Sequence, residues 1–259
     1  MIHPTAIIDS TATLAAEVEI GPYVIIGKHV TIGKGTSVGA STVIGDWTEI
    51  GENNRIYHLA SVGPASQDLK YRGEECWTRI GNNNLIREFS TIHRGTVTGI
   101  GETVVGNGNL FMAYSHVAHD CVIGNNVVMA NSATLAGHVT IEDNAILGGL
   151  VAVHQFTRIG AHVMIGGGTL VGLDVPPYMI TTQHQRGAKL RGLNLIGLKR
   201  RGFSDATISL LKKAYRTLFM ADLKLPEAIA KIRQEIPACP EVDYLLNFIE
   251  HSERGICRG

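Results

Sequence analysis

The chain has 259 residues, with 23 Lys and Arg against 23 Asp and Glu, so its formal net charge is zero. It is 44% hydrophobic and carries 30 glycines, which supports a packed core in one or two domains and excludes wholesale disorder. Balanced charge gives no globally basic surface for nucleic acid.

In chain order, the stretch MIHPTAIIDSTATLAAEVEI has no basic segment followed by an apolar one, so no signal peptide is expected. Apolar runs such as AILGGLVAV fall short of the ~20 residues that span a bilayer. Cys76, Cys121, Cys239 and Cys257 are scattered with no CxxC pair, which predicts reduced thiols in a cytoplasmic protein, with neither a disulfide frame nor a zinc knuckle.

From Ile2 every sixth residue is aliphatic: Ile2, Ile8, Leu14, Ile20, Ile26, Ile32, Val38, Ile44, Ile50, Ile56 and Val62. The frame resumes at Ile80, Ile86 and Ile92, slips by one, and continues from Val105 through Phe111, Val117, Leu135 and Val153 to Val171. Neither a helix nor a simple strand has a period of six. A coil of short flat strands joined by corners does, with the aliphatic residue inward and a small residue two positions earlier. The glycine that usually follows the aliphatic residue is expected to relieve strain at the corner. Three hexads make an 18-residue triangular coil, and stacked coils pair as parallel strands ~4.8 Å apart. Two segments interrupt the repeat. Residues 64–78 break it without shifting the frame, as an excursion of about one coil would, and 95–104 cost one residue of register.

After Val171 the repeat stops at VGLDVPPYMI. Ser204 caps a predicted helix with Ile208, Leu211, Tyr215, Leu218 and Phe219 on its apolar face, Pro226 opens a second, and Pro240 precedes a third. The expected organisation is an all-β solenoid over 1–183, with the excursion at 64–78, followed by a small α-helical subdomain over 184–259.

Coil arithmetic places the histidines. Relative to the stacked Val117, Leu135 and Val153, His116 is at −1, His119 at +2, Asp120 at +3, His138 at +3, His154 at +1 and Gln155 at +2. All belong to one edge on successive coils, and Asp120 and His138, one full coil apart, should stack. His119 is the best general base, with Asp120 to orient it. Gly137 fills the +2 slot between His119 and Gln155, where its amide could serve as an oxyanion donor. Cys121 sits at a small, corner-facing repeat position that suits core packing, so direct transfer is favoured over a covalent acyl-enzyme. Three histidines near an edge leave a zinc lyase of the γ carbonic anhydrase type as a second reading, although its H-x4-H pair is missing.

The hexads resemble the hexapeptide-repeat acyltransferases, which implies a left-handed parallel β-helix. The set QDLKYRGE, IREFSTIHRGT, HVAHDC, ATLAGHV, VHQF, DVPPY and GLKRRGF, in that order along the chain, is more specific. It resembles the acyl-carrier-protein-dependent UDP-N-acetylglucosamine O-acyltransferases, which open lipid A biosynthesis in Gram-negative bacteria. That resemblance implies a cytoplasmic homotrimer with sites between neighbouring prisms, no metal and no cofactor beyond the phosphopantetheine of acyl carrier protein. It implies that His119 deprotonates the sugar 3-hydroxyl, supported by Asp120, and that Asp68 and Lys70 contact sugar and phosphates. His116, His138, His154, Gln155 and Asn194 would line the substrate cleft, Arg200 and Arg201 would meet the diphosphate, and Gly167 would set acyl length. The chain departs from the family pattern at Ile196, where an acidic residue is usual, which bears on the nucleotide contact. The zero net charge is also uneven. Residues 184–216 carry nine basic side chains (Arg186, Lys189, Arg191, Lys199, Arg200, Arg201, Lys212, Lys213, Arg216) against Asp205 alone. A field of that sign suits an acidic carrier protein and a nucleotide diphosphate.

Overall fold

The computed structural model describes residues 1–185 and 187–259, so Arg186 of the basic segment lies outside the described residues. Short strands, most of them two residues long, stack in parallel into three sheets that form the faces of a triangular prism, one sheet ending in an antiparallel strand. Each strand pairs with its equivalent one coil further along the chain, as Ile7 with Ile25 and Thr134 with Ala152. The prism is a left-handed parallel β-helix. The residues in the period-six frame fill its bore, and from Ile20 to Val171 they are buried. Threonine, alanine and cysteine two positions earlier, such as Thr42, Ala133 and Cys121, are buried as well.

The corners correct the expected role of glycine. The left-handed backbone conformation falls three residues after the inward one and is adopted mostly by non-glycine residues, such as Tyr23, Asn53, Asp120, Asn144 and His162. The glycine directly after the inward residue is required by the next coil instead. A Cβ on Gly39 would lie 2.5 Å from the His58 backbone nitrogen, and one on Gly33 2.6 Å from the Gly51 carbonyl carbon. Close approach between coils, rather than torsion, selects glycine there.

Both interruptions are shorter than a coil. Val62 pairs back to Ile44, one regular coil earlier, and forward to Ile92, so the first excursion lengthens its coil by two hexads rather than three. Ile92 pairs forward with Val117, so the second lengthens its coil by a single hexad plus the position by which the frame slips.

Strand Met179–His184 caps the last coil in parallel with Met164–Ile165 and turns back antiparallel as Gly187–Leu193. Four helices follow: α1 (Leu195–Arg200), α2 (Asp205–Phe219), α3 (Leu225–Glu235) and α4 (Pro240–Glu250). Ser204 caps α2 by accepting from the Thr207 amide, as its sequence predicts. The short helix α1, capped by Asn194, has no counterpart among the three predicted helices. Among the described residues no helix is long and apolar enough to cross a membrane.

Candidate functional site

The edge after strand His116–Val117 gathers the predicted column. Asp120 and His138 both occupy the left-handed corner, at φ 59° and 61°, one coil apart. His119 Nδ1 lies 2.8 Å from Asp120 Oδ2, and His138 Nε2 lies 4.0 Å from the same oxygen. The imidazoles of His119 and His138 meet edge to face with centroids 5.1 Å apart, and Phe156 stacks on the other side of His138 at 4.5 Å.

The Asp120 side chain is fully buried, and the second excursion satisfies it. Its Oδ1 accepts from the amides of Thr96 and Ile100, and its Oδ2 from the Thr96 hydroxyl at 2.7 Å as well as from His119. The Asp120 amide donates to Thr103 Oγ1. A Cβ on Gly99 would lie 2.3 Å from the carboxylate carbon, so glycine is needed where the loop closes over it. The segment that costs the repeat its register therefore builds the cage of the carboxylate. Because Asp120 holds Nδ1 of His119 as the protonated nitrogen, Nε2 is left as the basic one.

Gly137 leaves the space that the His119 ring fills, since a methyl there would stand 2.5 Å from Cε1 and 2.7 Å from Nε2. On the neighbouring corner, the equivalent amides of Asn82, Asn107 and Asn125 are each capped by an Asn or Asp side chain of the next coil. The Gly137 amide has no such cap among the described residues, and its Cα carries the position from which a Cβ would meet the basic nitrogen.

Other predicted residues divide into two groups. Asp68, on the first excursion, is close enough to raise the His138 pKa together with Asp120, against the dominant lowering by burial. His116 packs on the same edge one coil from His93, with centroids 5.3 Å apart, and burial lowers its pKa to about 4. His154, Gln155 and Lys70 are exposed and Gly167 is open, with only the Gly149 backbone near its missing side chain. The second group lies at a different corner. Asn194 caps α1 and donates to the His162 carbonyl, and Arg201 helps to lower the His162 pKa, second to burial. His162 belongs to the corner after strand Arg158–Ile159, in the eight-stranded sheet, whereas His119 follows the nine-stranded one. The short helix α1, with Arg200, Arg201 and exposed Ile196 at or beside it, is therefore anchored at a different corner of the chain from His119.

Burial pushes the Cys121 thiol up to about 12, and its Sγ donates to the Ala136 carbonyl, so it is no nucleophile. The ligand atoms of His119, Asp120 and His138 lie within 4.8 Å of one another, a spacing compatible with a metal ion. The hydrogen bonds that already fill the acceptor sites of Asp120 suit orientation of an imidazole better. Sequence reasoning missed His93, Arg94, Thr96 and Thr103, which hold the two excursions against this edge.

Residues 174–257 match the family model described as UDP N-acetylglucosamine O-acyltransferase, domain 2, and residues 102–137 match the bacterial transferase hexapeptide model. The acyl-[acyl-carrier-protein]–UDP-N-acetylglucosamine O-acyltransferase of Trichlorobacter lovleyi is 72% identical over 259 residues, covering 100% of this chain and 99% of that one. The protein of the same name from Thermodesulfovibrio yellowstonii is 57% identical over 257 residues, covering 99% of each. Among solved structures, the UDP-N-acetylglucosamine acyltransferase of Francisella novicida superposes with a TM-score of 0.96 at 42% identity, covering 100% of this chain and 94% of that one. The chain belongs to the acyl-[acyl-carrier-protein]–UDP-N-acetylglucosamine O-acyltransferase family.

Proposed function

We propose that this chain moves a 3-hydroxyacyl group from acyl carrier protein to the 3-hydroxyl of UDP-N-acetylglucosamine, the first step of lipid A biosynthesis, by direct attack on the thioester. The observation that carries the mechanism is the His119–Asp120 pair beside the uncapped Gly137 amide. His119 Nε2 takes the proton of the sugar hydroxyl as its oxygen bonds to the thioester carbonyl carbon. Asp120 stabilises the imidazolium that forms, a proton transfer typically worth ~10²–10⁴ in rate. The Gly137 amide donates to the tetrahedral oxyanion. When the C–S bond breaks, the departing thiolate takes the proton back from His119.

Arg200 and Arg201 are read as diphosphate ligands. They stand at a different corner from His119, so the complete site needs two chains, which favours the homotrimer. His116, His138, His154, Gln155, Asp68 and Lys70 would complete the sugar and nucleotide side. Exposed basic residues of α1 and α2, including Lys212, Lys213 and Arg216, offer an acidic carrier protein a docking field. Four free, buried cysteines suit a cytoplasmic setting.

Incubation with 3-hydroxyacyl carrier protein and UDP-N-acetylglucosamine tests the reading. A sugar nucleotide heavier by one 3-hydroxyacyl group is expected by mass spectrometry, and no product with any chain length would sink the proposal. Undiminished turnover in chelator would separate it from metal chemistry.

A further inference from the structure

His93 belongs to no predicted motif role, yet it sits where three parts of the site meet. It follows Ile92 on the histidine edge and is only 7% exposed. Its Nδ1 lies 2.8 Å from the Ala65 carbonyl. A carbonyl oxygen only accepts, so Nδ1 carries the proton and the tautomer is fixed. Ala65 is the second residue of the excursion that carries Asp68 and Lys70. The same ring packs at 67° against His116, whose Nδ1 is in turn 2.7 Å from Thr91 Oγ1. Thr91 and His116 are register partners on adjacent coils, so His93 and Thr91 together fix the His116 ring from below.

Arg94, the next residue, reinforces the anchor. Its amide donates to the Pro64 carbonyl, and its guanidinium donates through Nε and Nη2 to the Gly63 carbonyl while lying over the Trp47 ring. The excursion is thus held at its root by two consecutive residues of the prism. Beyond that root, the tip from Asp68 to Lys70 is closed by local turns, with the Asp68 carboxylate accepting from the Lys70 amide. Of these anchoring contacts, the one to Ala65 lies nearest the tip along the chain.

We propose that His93 is a positioning residue. Its Nδ1–H orients the 64–78 excursion, and its ring orients His116, so that both elements present their polar groups to the nucleotide sugar as one unit. The kinetic half of this proposal rests on the function proposed above; the tether itself does not. Loss of the hydrogen bond should weaken substrate binding with little effect on the chemical step, because His119, Asp120 and Gly137 make no contact through Ala65.

The test compares His93→Phe, which keeps a ring without a donor, with His93→Asn, whose amide NH₂ stands near the position of Nδ1. His93→Phe should raise KM for UDP-N-acetylglucosamine roughly threefold to tenfold, the range of one lost hydrogen bond, with kcat within about twofold. His93→Asn should recover most of that loss. In a Lys70→Ala background, the His93→Phe effect should shrink, because the loop no longer has its charge to present. Limited trypsin digestion reads the tether without any substrate: cleavage after the exposed Lys70 and Arg72 should be faster in His93→Phe than in the wild type. Equal cleavage rates in the two, or a fall in kcat with KM unchanged, would overturn the positioning role. If the wild type formed no acylated product while the digestion difference persisted, the function would fail and the tether would stand.

Discussion

His119 and Asp120 are adjacent in sequence, yet their side chains face one another, Nδ1 to Oδ2 at 2.8 Å. Neighbours in an extended strand point to opposite sides. The left-handed conformation of Asp120, at φ 59°, breaks that alternation and turns its carboxylate back under the imidazole. His119→Ala should reduce kcat by about 10²–10⁴ and leave the fold intact. Asp120→Asn should also lower kcat, and as Asp120 additionally anchors Thr96 and Ile100, its melting temperature should fall more than that of His119→Ala. Steady-state kinetics and thermal melts of the two variants check this, and near-normal turnover in His119→Ala would remove it as the base.

Gly137→Ala is the smallest change that separates geometry from chemistry. The added methyl would stand 2.5 Å from the His119 ring, so the ring must swing away from the Gly137 amide. The substitution removes no functional group, and kcat should still fall at least tenfold, on the order expected when reacting groups are misplaced by about 1 Å. A kinetic comparison with the wild type at saturating substrate reads this directly.

Burial holds His93 and His116 below the ordinary imidazole value of 6.5, His116 at about 4. The folded chain therefore binds fewer protons at these rings than the unfolded chain between about pH 6.5 and 4. Their contribution to stability is present above pH 6.5 and is lost as the pH falls through that window. The melting temperature should fall between pH 6.5 and 4, with a shallower fall in His116→Asn. His116 also stays neutral at physiological pH, which makes it a hydrogen-bond donor or acceptor rather than a cation.

Thr157 is fully buried, and its hydroxyl has no partner among the described residues. Its counterpart on the preceding coil is buried Val139. Thr157→Val should stabilise the prism by about 1 kcal/mol, since an unpaired buried hydroxyl is removed at nearly constant shape. Thermal or denaturant unfolding would show it, with activity unchanged.

The fold was legible because its period lies in residue type: an aliphatic side chain every sixth position is visible without coordinates, and so is any residue placed by counting from it. Asp120, His138 and Gly137 were located in this way. The remainder of the site depends on departures from the period. Thr96, Thr103 and His93 act through excursions whose extents, in hexads, follow from strand pairing, which sequence does not display. The purpose of the repeat glycines was misplaced for a related reason, since distance to the next coil is an inter-strand property. Helix α1 was missed because so short a segment gives too little periodicity to read.

The proposed division of the site between two corners has a direct experimental consequence. His119→Ala and Arg201→Ala should each be nearly inactive alone. Co-expressed and purified as mixed oligomers, they should regain acyl transfer to UDP-N-acetylglucosamine, because some interfaces would pair an intact His119 from one chain with an intact Arg201 from its neighbour. Mixed oligomers as inactive as either parent would contradict a site built from two chains.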